Sequence, residues 1–148
     1  MIEGVRLIPV EWKVDDRGFL TQVFQSSDGL FPEVRRIYAS GNFSKGTIRG
    51  FHMHKKEVKY FFVVSGAVRF VLAREHENRK PEIDNLVISS RNPCILVVPA
   101  GIYTGWQSLE EGSMILGISD KVLQDSLSDD YRLDPFHFGS DVWETKPR

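Results

Sequence analysis

The chain is poor in cysteine, in long apolar runs and in net charge. Its 148 residues include a single cysteine, Cys94, so an internal disulfide framework is excluded and a reducing compartment is favoured. No apolar run approaches the roughly 20 residues that a helix needs to cross a bilayer, and the first residues lack the pattern of a signal peptide. A net charge of −1 gives no general attraction to nucleic acid or to an anionic membrane. These absences predict a cytoplasmic protein with neither as a partner, in which any anion site is local.

What the chain does contain is a series of short β-rich runs separated by turns with glycine and proline. We count about nine or ten such runs, and residues 59–64 and 67–73 are joined through Ser65-Gly66, a tight-turn signal. The polar stretch 74–82 is expected to be an exposed loop or hairpin end, and only residues 122–127 suggest a short helix. This punctuation is typical of a sandwich or barrel. We therefore predict one all-β domain over residues 1–148.

Two histidines separated by one residue form the most informative cluster. In an extended strand, residues two apart point to the same face, so His52 and His54 are expected to project together. Arg49 comes shortly before them and Lys59 opens the next apolar run. Imidazoles flanked by cations suit a polar pocket that binds an anionic substrate, so the cluster is the candidate site.

Five segments surround or contain this cluster, and together they resemble one family. They are Asp16-Arg17-Gly18-Phe19-Leu20, Lys45-Gly46-Thr47-Ile48-Arg49-Gly50-Phe51-His52, Lys59-Tyr60-Phe61-Phe62-Val63-Val64-Ser65-Gly66, Val98-Pro99-Ala100-Gly101 and Tyr131-Arg132-Leu133-Asp134-Pro135. The chain thereby resembles the dTDP-4-dehydrorhamnose 3,5-epimerases over about residues 4–139. Its length and the run from Arg49 to Lys56 also resemble the sister dTDP-4-keto-6-deoxyglucose 3,4-ketoisomerases. Either resemblance implies a cupin jelly roll, a homodimer formed by exchange of N-terminal strands, and a reaction without a cofactor.

The resemblance also implies roles in chemistry on a dTDP-4-keto-6-deoxy hexose. His52 matches the base that removes a proton next to the ketone, and Lys59 matches the lysine that stabilises the C4 oxyanion. Arg49 matches an arginine that grips substrate, for which a guanidinium can bind diphosphate oxygens in pairs. Asp134 is the candidate carboxylate that orients His52, and Arg17 is a candidate contact to the nucleotide.

The chain departs from the epimerase pattern at the acid that returns a proton. The family places a tyrosine in the strand that corresponds to residues 113–119, and this chain has none there. Tyr103 and Tyr38 are the candidates to replace it. The departure favours a single epimerisation, an inactive relative, or a 3,4-ketoisomerisation in which His52 and His54 suffice. By resemblance, His54 matches the second histidine of the ketoisomerases.

Two readings of another class stay open beside the isomerase. A metal-binding cupin would use His52, His54 and Glu57. However, only two residues separate His54 from Glu57, and Thr104 stands where the later histidine ligand is usual, so we predict no metal. A catalytically inactive sugar-binding cupin is the other reading, and the missing tyrosine is the feature that supports it.

Overall fold

The computed structural model describes residues 1–25 and 33–147, which form strands and one short helix. The elements are β1 (Arg6–Pro9), β2 (Lys13–Asp15), β3 (Gly18–Leu20), β4 (Arg36–Gly41), β5 (Ile48–Met53), β6 (Lys59–Ser65), β7 (Ala67–His76), β8 (Arg79–Ser89), β9 (Cys94–Val98), β10 (Tyr103–Ser108), β11 (Met114–Ser119), α1 (Leu123–Ser128) and β12 (Tyr131–Arg132), with a 3₁₀ turn at Asp141–Trp143. The short helix lies one residue from its predicted place.

Ten of these strands form two antiparallel sheets. The first sheet has the order β1-β9-β6-β11-β4, and the second has the order β12-β5-β10-β7-β8. Apart from the β7–β8 hairpin, the neighbours along each sheet are distant in sequence, as in the expected cupin jelly roll, and that fold is confirmed. Among the described residues, no helix is long and apolar enough to span a membrane.

One strand prediction was wrong in its extent. The polar stretch 74–82, expected to be an exposed loop or hairpin end, is the end of the β7–β8 hairpin, and the two strands extend further into it than predicted, up to His76 and from Arg79. Its register sets Arg74 opposite Glu82. Opposite charges on directly paired residues stabilise an antiparallel strand pair. The polar residues of this stretch can therefore continue both strands.

The main core fills the space between the two sheets. Alternation along β6 turns Phe61 and Val63 inward, where they pack with Phe70, Leu72 and other buried side chains of both sheets. Lys59 shares that inward face at the start of the strand, because it lies two residues before Phe61. The fold therefore places the Lys59 side chain at one end of the apolar core.

A second apolar cluster covers the outer face of the second sheet and fixes the C-terminal segment. Trp143 is buried there beside Phe51, and a Cβ added to Gly105 would come within 2.9 Å of the Trp143 ring. The indole Nε1 donates to the Pro135 carbonyl at 2.8 Å. These contacts hold the C-terminal segment against the second sheet. β12 therefore pairs with β5 at His52, and Asp130, the residue before β12, lies beside the candidate site.

The β2–β3 hairpin forms a separate two-stranded sheet. It leaves Val14, Phe19 and Leu20 exposed. An isolated hairpin is marginally stable in water, so these exposed apolar side chains are compatible with the expected homodimer. The homodimer stays a prediction, as does the single domain over residues 1–148.

Candidate active site

Two adjoining cavities open at the end of the sandwich where β4, β5 and β6 meet. The inner cavity, of about 240 Å³, is lined by Tyr38, Ser40, Arg49, His52, Lys59, Phe61, Thr104, Trp106 and Ile115. The outer cavity, of about 410 Å³, is lined by Arg36, Ile37, Tyr38, His52, His54, Lys59, Leu123, Ser126 and Asp130. Tyr38, His52 and Lys59 belong to both. The side chains that can act on one bound molecule are therefore concentrated where the cavities join.

A bulge in β5 brings Arg49 and His52 to the same cavity. Residues three apart on a regular strand face opposite ways. Here His52 pairs with Thr104 and Arg49 with Trp106, so three steps on β5 match two on β10. Gly50 has φ 144°, and a Cβ added there would lie 2.5 Å from the Gly105 backbone. Glycine is therefore required at the position that turns Arg49 toward His52.

His52 is oriented by a carboxylate that the sequence did not assign. Its Nδ1 lies 3.0 Å from Asp130 Oδ1, and Arg132 Nε donates to Asp130 Oδ2 at 2.7 Å. Burial alone raises the pKa of Asp130, but the hydrogen bonds from His52 and Arg132 outweigh it and hold that pKa below its usual value. The expected partner, Asp134, instead accepts the Phe136 amide at 2.8 Å in a turn. The prediction of Asp134 is corrected to Asp130.

The opposite wall of the inner cavity carries Lys59. Its side chain is only 16% exposed, and Glu57 Oε1 lies 4.0 Å from its Nζ. Burial lowers the pKa of Lys59, whereas the charges of Glu57 and Asp130 act to raise it. A partly desolvated ammonium ion at this place is suited to meeting a developing negative charge.

His54 lies beside His52, as expected, but it is largely buried. Its Nε2 is 3.3 Å from Glu57 Oε2, 3.3 Å from Ser126 Oγ and 3.8 Å from Asp130 Oδ1. Burial, followed by the nearby charge of Lys59, lowers the pKa of His54, so the neutral ring is favoured.

Arg49 is held by neutral acceptors. Its Nε donates to Asn42 Oδ1 at 2.7 Å and its Nη2 donates to the Gly41 carbonyl at 3.1 Å. Asn42 is buried and is itself fixed by a 2.7 Å bond to Ser108 Oγ. Within the described residues no carboxylate pairs with Arg49, so its positive charge is uncompensated on the cavity wall.

The family model of the dTDP-4-dehydrorhamnose 3,5-epimerases matches residues 1–134. This chain belongs to that family. It is also 30% identical over 113 residues to the spore coat polysaccharide biosynthesis protein SpsL of Bacillus subtilis strain 168, covering 75% of this chain and 74% of that protein.

Two solved structures illustrate the range of this fold. ChmJ, a 3'-monoepimerase from Streptomyces bikiniensis in complex with dTDP-quinovose, superposes with a TM-score of 0.82 at 16% identity, over 95% of this chain and 74% of that chain. QdtA, a sugar 3,4-ketoisomerase from Thermoanaerobacterium thermosaccharolyticum in complex with TDP, superposes with a TM-score of 0.71 at 22% identity, over 97% and 93%. The fold is thus similar to that of proteins with different isomerase reactions.

β11 contains no tyrosine, although the resemblance led us to expect one there, and its glycine lies beside a tyrosine of the neighbouring strand. Gly117 of β11 pairs directly with Tyr38 of β4. A Cβ added to Gly117 would come within 2.5 Å of Tyr38 Oη, so the Tyr38 ring occupies the space above the glycine. Burial, reinforced by the Glu57 charge, raises the pKa of Tyr38 to about 12. A protonated phenol therefore faces the cavity from the first sheet.

Besides Asp134, two predicted site residues lie away from both cavities. Alternation along β10 turns Thr104 inward and Tyr103 outward. Tyr103 packs in the apolar cluster on the outer face of the second sheet, where its ring lies 6.1 Å from that of Phe138. Arg17 forms an ion pair with Asp15 at the exposed turn between β2 and β3. The structure therefore favours Tyr38 over Tyr103, and one chain alone does not bring Arg17 to the site.

The sequence reasoning missed Arg36 and Asp130 as residues of the site. Arg36 shares the inward face of β4 with Tyr38, and its guanidinium lies 5.3 Å from the centre of the Tyr38 ring. Period-two spacing from Tyr38 was the available signal for Arg36.

The metal alternative finds no support in residues 1–25 and 33–147, where no group of three or more His, Cys, Asp or Glu is arranged to hold an ion.

Proposed function

We propose that the chain inverts one stereocentre beside the ketone of a dTDP-4-keto-6-deoxy hexose. The observation that carries this proposal is the distribution of groups around the inner cavity. His52, with Asp130, comes from the second sheet, whereas Lys59 and Tyr38 come from the first. A C4 carbonyl acidifies the hydrogens on C3 and C5, and inversion requires a base on one face, an acid on the other and a donor at the oxygen.

In this mechanism His52 is the general base. Its Nδ1–H donates to Asp130, which leaves the Nε2 lone pair free to take a proton. The C–H electron pair moves into the bond to C4, and the carbonyl becomes an enolate whose oxygen the Lys59 ammonium stabilises.

Tyr38 then returns a proton to the same carbon from the opposite face. With a pKa of about 12 the phenol is protonated at neutral pH, and the nearby Arg36 guanidinium stabilises the phenolate that forms. After inversion, His52 has gained one proton and Tyr38 has lost one, and exchange with solvent restores both.

Arg49 is proposed to bind the substrate's diphosphate. Because its partners Asn42 and Gly41 are neutral, its charge is available to an anion. The dTDP-quinovose of ChmJ and the TDP of QdtA support a dTDP-sugar as the ligand. Arg17 can contribute only if a second copy brings its β2–β3 turn to the cavity, so its role depends on the proposed homodimer.

A 3,4-ketoisomerase is the second candidate. It is favoured because His52 and His54 both approach Asp130 Oδ1, at 3.0 Å and 3.8 Å, from neighbouring positions. A proton that leaves C3 and returns to C4 on the same side of an enediol needs imidazoles on one wall and no phenol opposite.

Proton NMR with dTDP-4-keto-6-deoxyglucose in deuterated water separates these reactions. We expect deuterium at one carbon, C3 or C5, together with inversion there. A carbonyl that migrates to C3 would replace the proposal by the ketoisomerase. If the wild type exchanges no more than a His52→Asn control, the isomerase proposal is refuted for this substrate.

A further inference from the structure

A buried carboxylate lies behind the active site and takes no part in the mechanism above. Glu57, in the loop between β5 and β6, is only 2% exposed and lines neither cavity. A buried carboxylate is costly unless it is paired and hydrogen-bonded, so its partners indicate what it does.

Those partners come from four other elements of the fold and from the loop that carries Glu57 itself. Glu57 Oε1 accepts from Arg36 Nη2 at 3.1 Å and from Ser119 Oγ at 2.6 Å, and it lies 4.0 Å from Lys59 Nζ. Glu57 Oε2 accepts from Ser126 Oγ at 2.6 Å and lies 3.3 Å from His54 Nε2. Both cations belong to the wall that also carries Tyr38.

We propose that Glu57 is a positioning residue that keeps the Lys59 side chain an ammonium ion and holds the Arg36 guanidinium beside the Tyr38 ring. This inference rests on the role of Lys59 proposed above. Glu57 lines neither cavity, so the effect proposed for it is its effect on these two cations.

The charge balance around Lys59 explains why it needs this carboxylate. The titratable and charged groups that face Lys59 or line its cavities are Arg36 and Tyr38 of β4, Arg49 and His52 of β5, His54 and Glu57 of the following loop, and Asp130 before β12. Burial lowers the pKa of Lys59 and the Arg36 charge lowers it further, whereas Glu57 raises it most and Asp130 also raises it. Since only the charged amine stabilises an enolate, loss of the Glu57 charge removes the larger of the two opposing effects.

The first test is an NMR titration of the Lys59 amine without substrate, in the full-length wild type and in Glu57→Gln, with the signal assigned by its loss in Lys59→Arg. An opposite charge at this distance shifts a pKa by roughly 1–3 pH units, so we expect Glu57→Gln to lower the pKa of Lys59 by about 1 unit or more. The matched control is Ser119→Ala, which removes a hydrogen bond to the same carboxylate and leaves its charge. A pKa shift of Lys59 in Glu57→Gln but not in Ser119→Ala supports the proposal.

Two results overturn the inference. One is an unchanged pKa of Lys59 in folded Glu57→Gln. The other is a neutral Lys59 at pH 7 in the wild type, which needs no variant and so decides the matter even if Glu57→Gln does not fold.

The alkaline limb of the kcat/KM profile gives a second readout. It should move to lower pH in Glu57→Gln, and it should move less when Glu57→Gln is made in a Lys59→Arg background, where only the effect of the Glu57 charge on the Tyr38 phenol remains. A purely structural role would lower activity without moving the limb. If the pKa shifts as expected but no dTDP-sugar turns over, the proposed function fails and the role of Glu57 in holding the charge of Lys59 stands.

Discussion

Replacing Asp130 by asparagine should inactivate His52 through its tautomer. In the native protein Asp130 accepts two hydrogen bonds, from His52 Nδ1 at 3.0 Å and from Arg132 Nε at 2.7 Å. Asparagine offers one amide oxygen and one amino group. The Arg132 guanidinium is always a donor, so the oxygen should turn toward it and the amino group toward His52. Nδ1 must then accept, the ring proton moves to Nε2, and the nitrogen that faces substrate can no longer act as a base.

The expected loss of kcat/KM follows from the hydrogen bonds that the Asp130 carboxylate makes. A hydrogen bond to a charged group contributes about 1.5–3 kcal/mol, and an aspartate-to-asparagine change that reverses a catalytic histidine tautomer costs up to about 10⁴-fold in rate. We therefore expect Asp130→Asn to lower kcat/KM by about 10²–10⁴-fold, which corresponds to about 3–5 kcal/mol of transition-state stabilisation.

The assay is the rate of solvent deuterium incorporation into the dTDP-sugar. Arg132→Leu added to Asp130→Asn frees the amide to turn its oxygen toward His52, so the double variant should recover at least about tenfold over Asp130→Asn. Nitrogen-15 NMR of His52 reports the tautomer without substrate. A rate for Asp130→Asn within about fivefold of wild type, or an unaltered tautomer, would refute this reasoning.

Three further outcomes are expected. Gly117→Ala should displace the Tyr38 ring and abolish inversion while hydrogen exchange continues, whereas Gly41→Ala, whose added Cβ meets only ordinary contacts, should keep both by the same NMR assay. Because the pKa of His54 is lowered in the folded protein, the contribution of His54 to the free energy of unfolding is fully present above about pH 6.5 and is lost as the pH falls from there through the folded pKa. Thermal unfolding of the wild type should therefore depend more steeply on pH in that window than thermal unfolding of His54→Gln. Trp143→Ala should lower the free energy of unfolding by about 3–5 kcal/mol in urea titrations, because the buried ring fills the space above Gly105.

The residues whose position at the cavities agrees with local sequence are those whose placement depends on one strand. Lys59 reaches the cavity because it is two residues from an inward Phe61, and His52 and His54 lie together because of their spacing. Asp130 could not be found in this way, since it meets His52 across 78 residues of sequence. The register of the two-residue strand β12 against β5 decides whether Asp130 or Asp134 lies beside His52, and no local sequence pattern determines that register.

Strand parity explains the remaining differences. Tyr103 and Thr104 are adjacent, so the point at which β10 leaves its preceding turn decides which of them faces the cavity. Arg49 reached the cavity against simple parity, because β5 carries an extra residue at Gly50. Bulges and strand starts depend on how neighbouring strands pair, which one sequence does not reveal.

Although β11 carries no tyrosine, the proposed mechanism has an acid at this wall, because the space above Gly117 is occupied by the Tyr38 phenol of the neighbouring strand. A side chain on β11 and one on β4 can present a hydroxyl to the same cavity, and the glycine is what makes room for the second arrangement. If Tyr38 is the acid that inverts the carbon, Tyr38→Phe must stop inversion while His52 still exchanges the hydrogen with retention. If the imidazoles carry the proton along one face, Tyr38→Phe leaves the movement of the carbonyl intact. The wall from which the second proton comes therefore distinguishes an epimerase from a ketoisomerase on this fold.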